Sequence, residues 1–236
     1  MNIVIWIKNL FFPKKCVVCN KLIEYKNFRG YLCNNCASDI PFIEGKVCKK
    51  CGLPLKVGDV CEKCMKRTFA FEYGFSAFTY DTVRKSIFRF KYSGVKNDGV
   101  GMAKLMEIFI RQNYSDLIDD INLIIPVPIH IKKLKSRGFN QADILARNLA
   151  EFLGKDYSSN TISRVKNTAP QNSLNYKERA RNISDAFEFN KSIDVEDKSI
   201  LIIDDIFTTG STINECARLL MMNGAKAVYF YTFSIA

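Results

Sequence analysis

Eight of the nine cysteines lie before residue 65, in four pairs each spaced by two residues: Cys16 and Cys19, Cys33 and Cys36, Cys48 and Cys51, Cys61 and Cys64. A CxxC turn aims two sulfurs at one point, and two such turns together supply the four-thiolate tetrahedron that zinc takes. Sequential pairing gives two sites with short loops between pairs, residues 20–32 and 52–60; interleaved pairing stays open. The Cys48-Lys-Lys-Cys51-Gly52 turn reads as a knuckle in which glycine lets backbone amides approach sulfur, and Cys33 and Cys36 open a short helix. That combination favours the sequential arrangement. A four-thiolate site leaves no coordination position for water, so two structural zinc ions are expected rather than a catalytic one. Four pairs are also more than a redox exchange site needs.

The second constellation is Asp204-Asp205 followed by Thr208-Thr209-Gly210-Ser211-Thr212 and a helical stretch. Loop amides and a helix N-terminus attract an anion, glycine permits close backbone approach, and the hydroxyls donate to phosphate oxygens. Two adjacent carboxylates suit the vicinal hydroxyls of a sugar and help hold a magnesium pyrophosphate. The stretch therefore fits ribose 5-phosphate. A Walker loop, GxxxxGK[ST], is missing, which argues against that mode of nucleotide hydrolysis.

The elements that must position these groups follow from apolar periodicity. Residues 74–80, 122–128 and 199–205 and the closing AKAVYFYTF read as strands, with 161–165 and 186–190 weaker ones. Residues 101–110 and about 140–153 carry helical spacing. Strand and helix alternate, so the chain from 71 onward is expected to form a parallel α/β sheet with helices on both faces, preceded by a small four-cysteine zinc module over 1–70. The junction near 65–72 is short and basic, and the two parts are expected to pack together. Cys216 falls in the helical register of the last helix and is expected in the core.

The segment from 201 to 212 resembles the signature of type I phosphoribosyltransferases that binds 5-phosphoribosyl 1-pyrophosphate (PRPP). With the cysteine pairs, PVPIHIKKLKSRGFNQADILARNLA and TAPQNSLNYKERARNISDAFEF, nearly the whole chain resembles the ComF family, competence-linked proteins with a zinc module before a phosphoribosyltransferase domain. The resemblance implies catalytic roles for Asp204 and Asp205 on the ribose hydroxyls, and a 5-phosphate site at residues 208–212. It also implies a pyrophosphate loop over 127–133, beginning Val127, Pro128, Ile129 and His130. Residues 164–182, with Arg164, Lys166, Gln171, Lys177, Arg179 and Arg181, look like a closing loop that would neutralise the leaving pyrophosphate. Magnesium with PRPP is the implied cofactor. His130, the single histidine, gains no proton-transfer role from the resemblance and reads equally well as a positioning group.

The charge is +11, with 35 basic and 24 acidic side chains, which makes polyanions natural partners. Residues 1–70 carry 13 basic and 5 acidic side chains; eight thiolates with two zinc ions leave the module at about +4. Single-stranded DNA is the expected macromolecular partner, with the DNA-uptake machinery beside it. A further group, Arg84, Lys85, Arg89, Lys91 and Lys96, is interleaved with Phe88, Phe90 and Tyr92, an arrangement that could stack bases but that more simply buries Phe88 or Phe90 in a helix. Three functions compete: a PRPP-binding protein of natural transformation, a nucleobase salvage phosphoribosyltransferase, and a non-catalytic PRPP or nucleotide sensor. Salvage enzymes carry a hood over the base, which here would come from the zinc-bearing side. The opening MNIVIWIKNLFFP lacks a basic leader and a cleavage site and is too short to span a bilayer. It is expected to be an amphipathic helix capping the fold, in a cytoplasmic protein.

Overall fold

The computed structural model describes residues 15–23, 30–92, 96–166 and 186–236. The apolar opening and most of the expected closing loop, with Gln171, Lys177, Arg179 and Arg181, lie outside the described residues.

Two short helices belong to the cysteine module, α1 (Asn34–Ser38) and α2 (Glu62–Met65). They are followed by β1 (Gly74–Thr79), α3 (Tyr80–Tyr92), α4 (Lys96–Asn113), α5 (Ser115–Asp120), β2 (Leu123–Pro126), α6 (Ile131–Arg137), α7 (Gln141–Leu153), β3 (Asp156–Tyr157), β4 (Ile162–Arg164), β5 (Phe187–Phe189), β6 (Ser199–Phe207), α8 (Ser211–Met222) and β7 (Ala227–Ile235). Five strands form a parallel sheet in the order β1-β7-β6-β2-β3. The two weaker strands do not join it. β4 and β5 pair antiparallel with each other, with Ile162 opposite Phe189; three residues apiece with one buried position each are too short for a strand covered on both faces.

The central strands are continuous apolar runs because both faces are covered. On one face Leu201, Ile203 and Ile124 pack with α3, α4 and α7 through Ile87, Phe90, Met106 and Leu145. On the other, Ile200 and Ile202 pack with Ile213, Cys216 and Leu220 of α8. The chain thus leaves β2 toward one face, through α7, and β6 toward the opposite face, through α8. Since β2 and β6 are neighbours, their carboxyl ends border the crevice that forms where a parallel sheet reverses its winding.

The cysteine module is packed onto this sheet, as its basic, glycine-poor junction implies. Cys16, Val17 and Val18 join the first core, and Cys48, Cys51, Cys61 and Cys64 the second. The module also covers the edge strand: Ile43 donates its backbone N–H to Ala77 O at 2.9 Å, and Gly74 donates to Lys50 O at 3.0 Å. Among the described residues no helix is long and apolar enough to cross a membrane.

Candidate functional site

The four sulfurs of Cys16, Cys19, Cys33 and Cys36 lie within 4.8 Å of one another, as do those of Cys48, Cys51, Cys61 and Cys64. The pairing is sequential. Cys19 and Cys33 Sγ are 3.6 Å apart and Cys51 and Cys61 Sγ 3.8 Å apart, matching the edge of about 3.8 Å of a tetrahedron with Zn–S bonds near 2.3 Å. The residues therefore fit the metal. In each cluster the first pair sits on a turn closed by a lone bridge, Lys15 to Leu22 and Val47 to Pro54, and the second opens a helix, with Cys33 and Cys61 as N-caps. At the second knuckle burial raises the Cys48 thiol, but hydrogen bonds from the Cys61, Cys51 and Lys50 amides outweigh it and bring the pKa down to about 7. Gly52, with φ of +74°, permits this turn, and a Cβ there would lie 2.7 Å from Phe75 Cα.

At the sheet's carboxyl end the two segments expected to bind anions come together. Pro126 is in register with Ile203, and Val127 donates its N–H to Ile203 O at 2.9 Å, so the loop after β2 starts beside Asp204. That loop is shorter than the sequence implies. It ends at His130, because residues 131–133 already belong to α6. His130 Nδ1 accepts from Lys132 N–H at 3.2 Å as the helix N-cap, and Asn140 Nδ2 donates to Val127 O at 3.0 Å, which fixes the loop from behind. The side chain of His130 is 8% exposed. The Nδ1 lone pair of its ring is taken up by this cap.

β6 runs two residues past the acids, since its pairing with β7 continues to Phe207 opposite Ile235. Asp204 and Asp205 are therefore held by a strand and point to opposite faces. Asp205, on the α3 side, is paired with Lys91 Nζ at 2.7 Å. Asp204 Oδ1 accepts from Asp205 N–H at 2.8 Å. Burial, followed by the charge of Asp205, pushes the Asp204 carboxyl well above the usual carboxylate range. Cys216 lies on that side, fully buried, and burial with the Asp204 charge pushes its thiol far up. It is a core residue and no nucleophile.

Thr208, Thr209, Gly210 and Ser211 form the turn into α8, with Gly210 as N-cap at φ +73°. A Cβ at Gly210 would stand 2.8 Å from the Phe207 ring, so the tight approach requires glycine. Thr209 Oγ1 and Ser211 Oγ are 3.0 Å apart, and Thr212 follows in the first turn of the helix. The cysteine module braces this loop. Arg67 Nη1 donates to Thr209 O at 2.9 Å, and Ala70 donates its N–H to Asn214 Oδ1 at 2.7 Å. A narrow crevice between the parts is bounded by Cys51, Cys61, Cys64, Thr208 and Thr209.

A group of cations gathers around Lys133. Burial lowers the Lys133 ammonium, and the charges of Arg164, Arg137 and Lys91 lower it further. Four basic side chains from α3, α6 and β4 therefore share one field, on the side where Asp205 takes Lys91. Arg137 Nη1 donates to Gln141 Oε1 at 3.2 Å, while the buried Gln141 Nε2 has no hydrogen-bond partner among the described residues. Arg164 closes β4 with its guanidinium 5.4 Å from the Phe187 ring, and Lys166 lies exposed at the next turn. Of these cations, Arg137 escaped the sequence reading. Its signal was the glycine after it: Gly138 at φ +80° caps α6 and turns the chain back into α7.

Comparison with known proteins extends over both parts. The double zinc ribbon domain family matches residues 7–65, and the phosphoribosyl transferase domain family matches residues 106–234. The DNA utilization protein YhgH of Salmonella typhimurium is 30% identical over 224 residues, 93% of this chain and 96% of that protein. Competence protein F of Haemophilus influenzae is 28% identical over 222 residues, 92% of this chain and 95% of that one. Among solved structures, phosphoribosylpyrophosphate synthetase from Mycobacterium smegmatis is 19% identical, covering 56% of this chain and 33% of the other with a TM-score of 0.37.

Proposed function

This chain belongs to the ComF family, a double zinc ribbon joined to a phosphoribosyl transferase domain, and on that premise we propose that it binds PRPP with magnesium at the β2–β6 crevice. The observation that carries this reading is the division of charge there. Hydroxyls and helix amides of residues 208–212 suit a 5-phosphate; Asp204 and Asp205 suit ribose hydroxyls. Lys133, Arg137 and Arg164 lie close enough for their charges to act on one another, with Lys91 held by Asp205, and this excess of positive charge suits a polyanion such as pyrophosphate. The 127–130 loop, held by its His130 cap, presents backbone to that same anion. Magnesium, when bound, would neutralise pyrophosphate, with the Asp204 and Asp205 carboxylates and the ribose hydroxyls near it.

In transfer, the bond from ribose C1 to pyrophosphate breaks with its electron pair leaving on the pyrophosphate, and an acceptor bonds to C1. The cations stabilise the charge that develops on the leaving group, and Lys166 and Arg179 would join them from the closing loop. The protein works in the cytoplasm on single-stranded DNA taken up in natural transformation, with the two zinc ions structural. The names of the relatives, DNA utilization and competence, and the positive net charge support the DNA half.

The test is calorimetric titration of PRPP with magnesium into zinc-loaded protein, beside an Asp204→Asn, Asp205→Asn variant. Binding by the parent, lost in the variant, is expected. A parent that takes up no PRPP sinks the reading and leaves the zinc and basic surfaces to carry the function.

A further inference from the structure

The apolar stripe of α3 is buried as a helix period requires, with Val83, Ile87 and Phe90 at 2% exposure or less. Its opposite face carries what such a surface seldom does: Phe88 is 63% exposed and Tyr92 62% exposed. The two are i, i+4 neighbours with ring centroids 4.9 Å apart, tilted by 46°. Arg84 stands one turn before Phe88 and Lys85 beside it, both exposed. At the other end the Arg137 guanidinium lies 5.7 Å from the Tyr92 ring centroid and joins this face to α6, where Lys132 is exposed. Asp81 is the single acid of α3.

We infer that single-stranded nucleic acid lies along this face, its bases on Phe88 and Tyr92 and its phosphates on Arg84, Lys85 and Lys132; the inference rests on the reading above that the protein handles single-stranded DNA and names the surface that does it. Rings at this spacing offer flat partners to successive unpaired bases, and flanking cations follow the backbone. A duplex keeps its base faces stacked inside, out of reach of the rings. A membrane would need a broad apolar stripe, and the stripe of α3 faces the sheet. A second copy would bring cations against cations. Next to Tyr92, Lys91 turns inward to Asp205, so a strand held on the rings ends at the mouth of the β2–β6 crevice.

The experiment measures anisotropy of a labelled oligothymidylate of about 20 nucleotides, long enough for one such site, at several salt concentrations. The same duplexed strand and anionic lipid vesicles serve as parallel arms. The full-length, zinc-loaded protein is compared with Phe88→Ala, Phe88→Trp, Phe88→Ala with Tyr92→Ala, and Arg84→Gln with Lys85→Gln. Phe88→Ala is expected to weaken binding about tenfold with the salt slope unchanged, the double aromatic variant on the order of a hundredfold, and Phe88→Trp to restore it. Losing two phosphate contacts should reduce the slope by about 1.4 instead. The melting temperature of Phe88→Ala should match the parent, since the ring is exposed. Parent binding that none of the aromatic variants alters overturns the surface and leaves the DNA reading standing. A parent that ignores the oligonucleotide removes both, and vesicle binding lost with Phe88 would give the face to a membrane instead.

Discussion

The two cysteine clusters share one local design, a bridged knuckle followed by a helix-opening pair, yet they are tied to different business. The first is anchored on the helix layer. Ser86 Oγ donates to Val18 O at 3.1 Å, and Arg89 reaches Asn20 Oδ1 while its Nε is paired with Asp98 Oδ2 at 2.5 Å. The second, with all four cysteines buried, is anchored on the hydroxyl loop through Arg67 and Ala70. Equal chemistry at the metal therefore does not mean equal surroundings: one ribbon braces the helix layer and the other the hydroxyl loop.

The sharpest way to break this contrast is to remove Arg89. Both partners of the Arg89–Asp98 pair are 8% exposed, and Asp98, already raised by burial, would be left without its partner. Arg89→Met should cost about 3–5 kcal/mol of stability, read by chemical denaturation, with PRPP affinity unchanged in the folded fraction. An equal loss of affinity would mean that the first ribbon also serves the ligand site.

Arg67→Ala should show the reverse pattern. Thr209 O loses a charged donor, which costs about 1–3 kcal/mol, and PRPP affinity should fall about tenfold by calorimetry while the zinc content stays at two per chain. Full affinity with lowered stability would reduce the second ribbon to the role of the first.

The smallest effect concerns Asp204 and has the opposite sign. A carboxyl whose pKa is raised by folding keeps a proton that the unfolded chain gives up, so stability falls as pH rises above the unfolded value near 3.9. Asp204→Asn should therefore raise the melting temperature at neutral pH, with the gain vanishing below about pH 4. The candidate site would then hold a carboxyl that the bare fold would be more stable without, whereas Asp98, the raised carboxyl beside the first ribbon, is held by Arg89. A melting temperature lowered at every pH would count against that contrast.

Much of this was legible because its chemistry is local. Cysteine pairs two residues apart and acids followed by TTGST declare themselves within a dozen positions, and the apolar runs of β2, β6 and β7 are long enough to be read as buried strands. The bracing was not legible, because packing supplies it: Arg67 and Thr209 are 142 positions apart. Lys91 was visible as a cation but its choice of Asp205 was not, since that depends on the face α3 turns to the sheet. The same rotation separates Phe90, in the core, from Phe88, in water. β3 escaped notice for a different reason: two residues carry no period.

The backbone bonds from Ile43 and Lys50 to β1 give the ribbon a task apart from metal and ligand alike. They hem the open side of the sheet, so a descendant that shed its cysteines would also have to find another border for that strand or accept self-association through it. The ribbon is thus no detachable ornament but the border of the sheet's β1 edge.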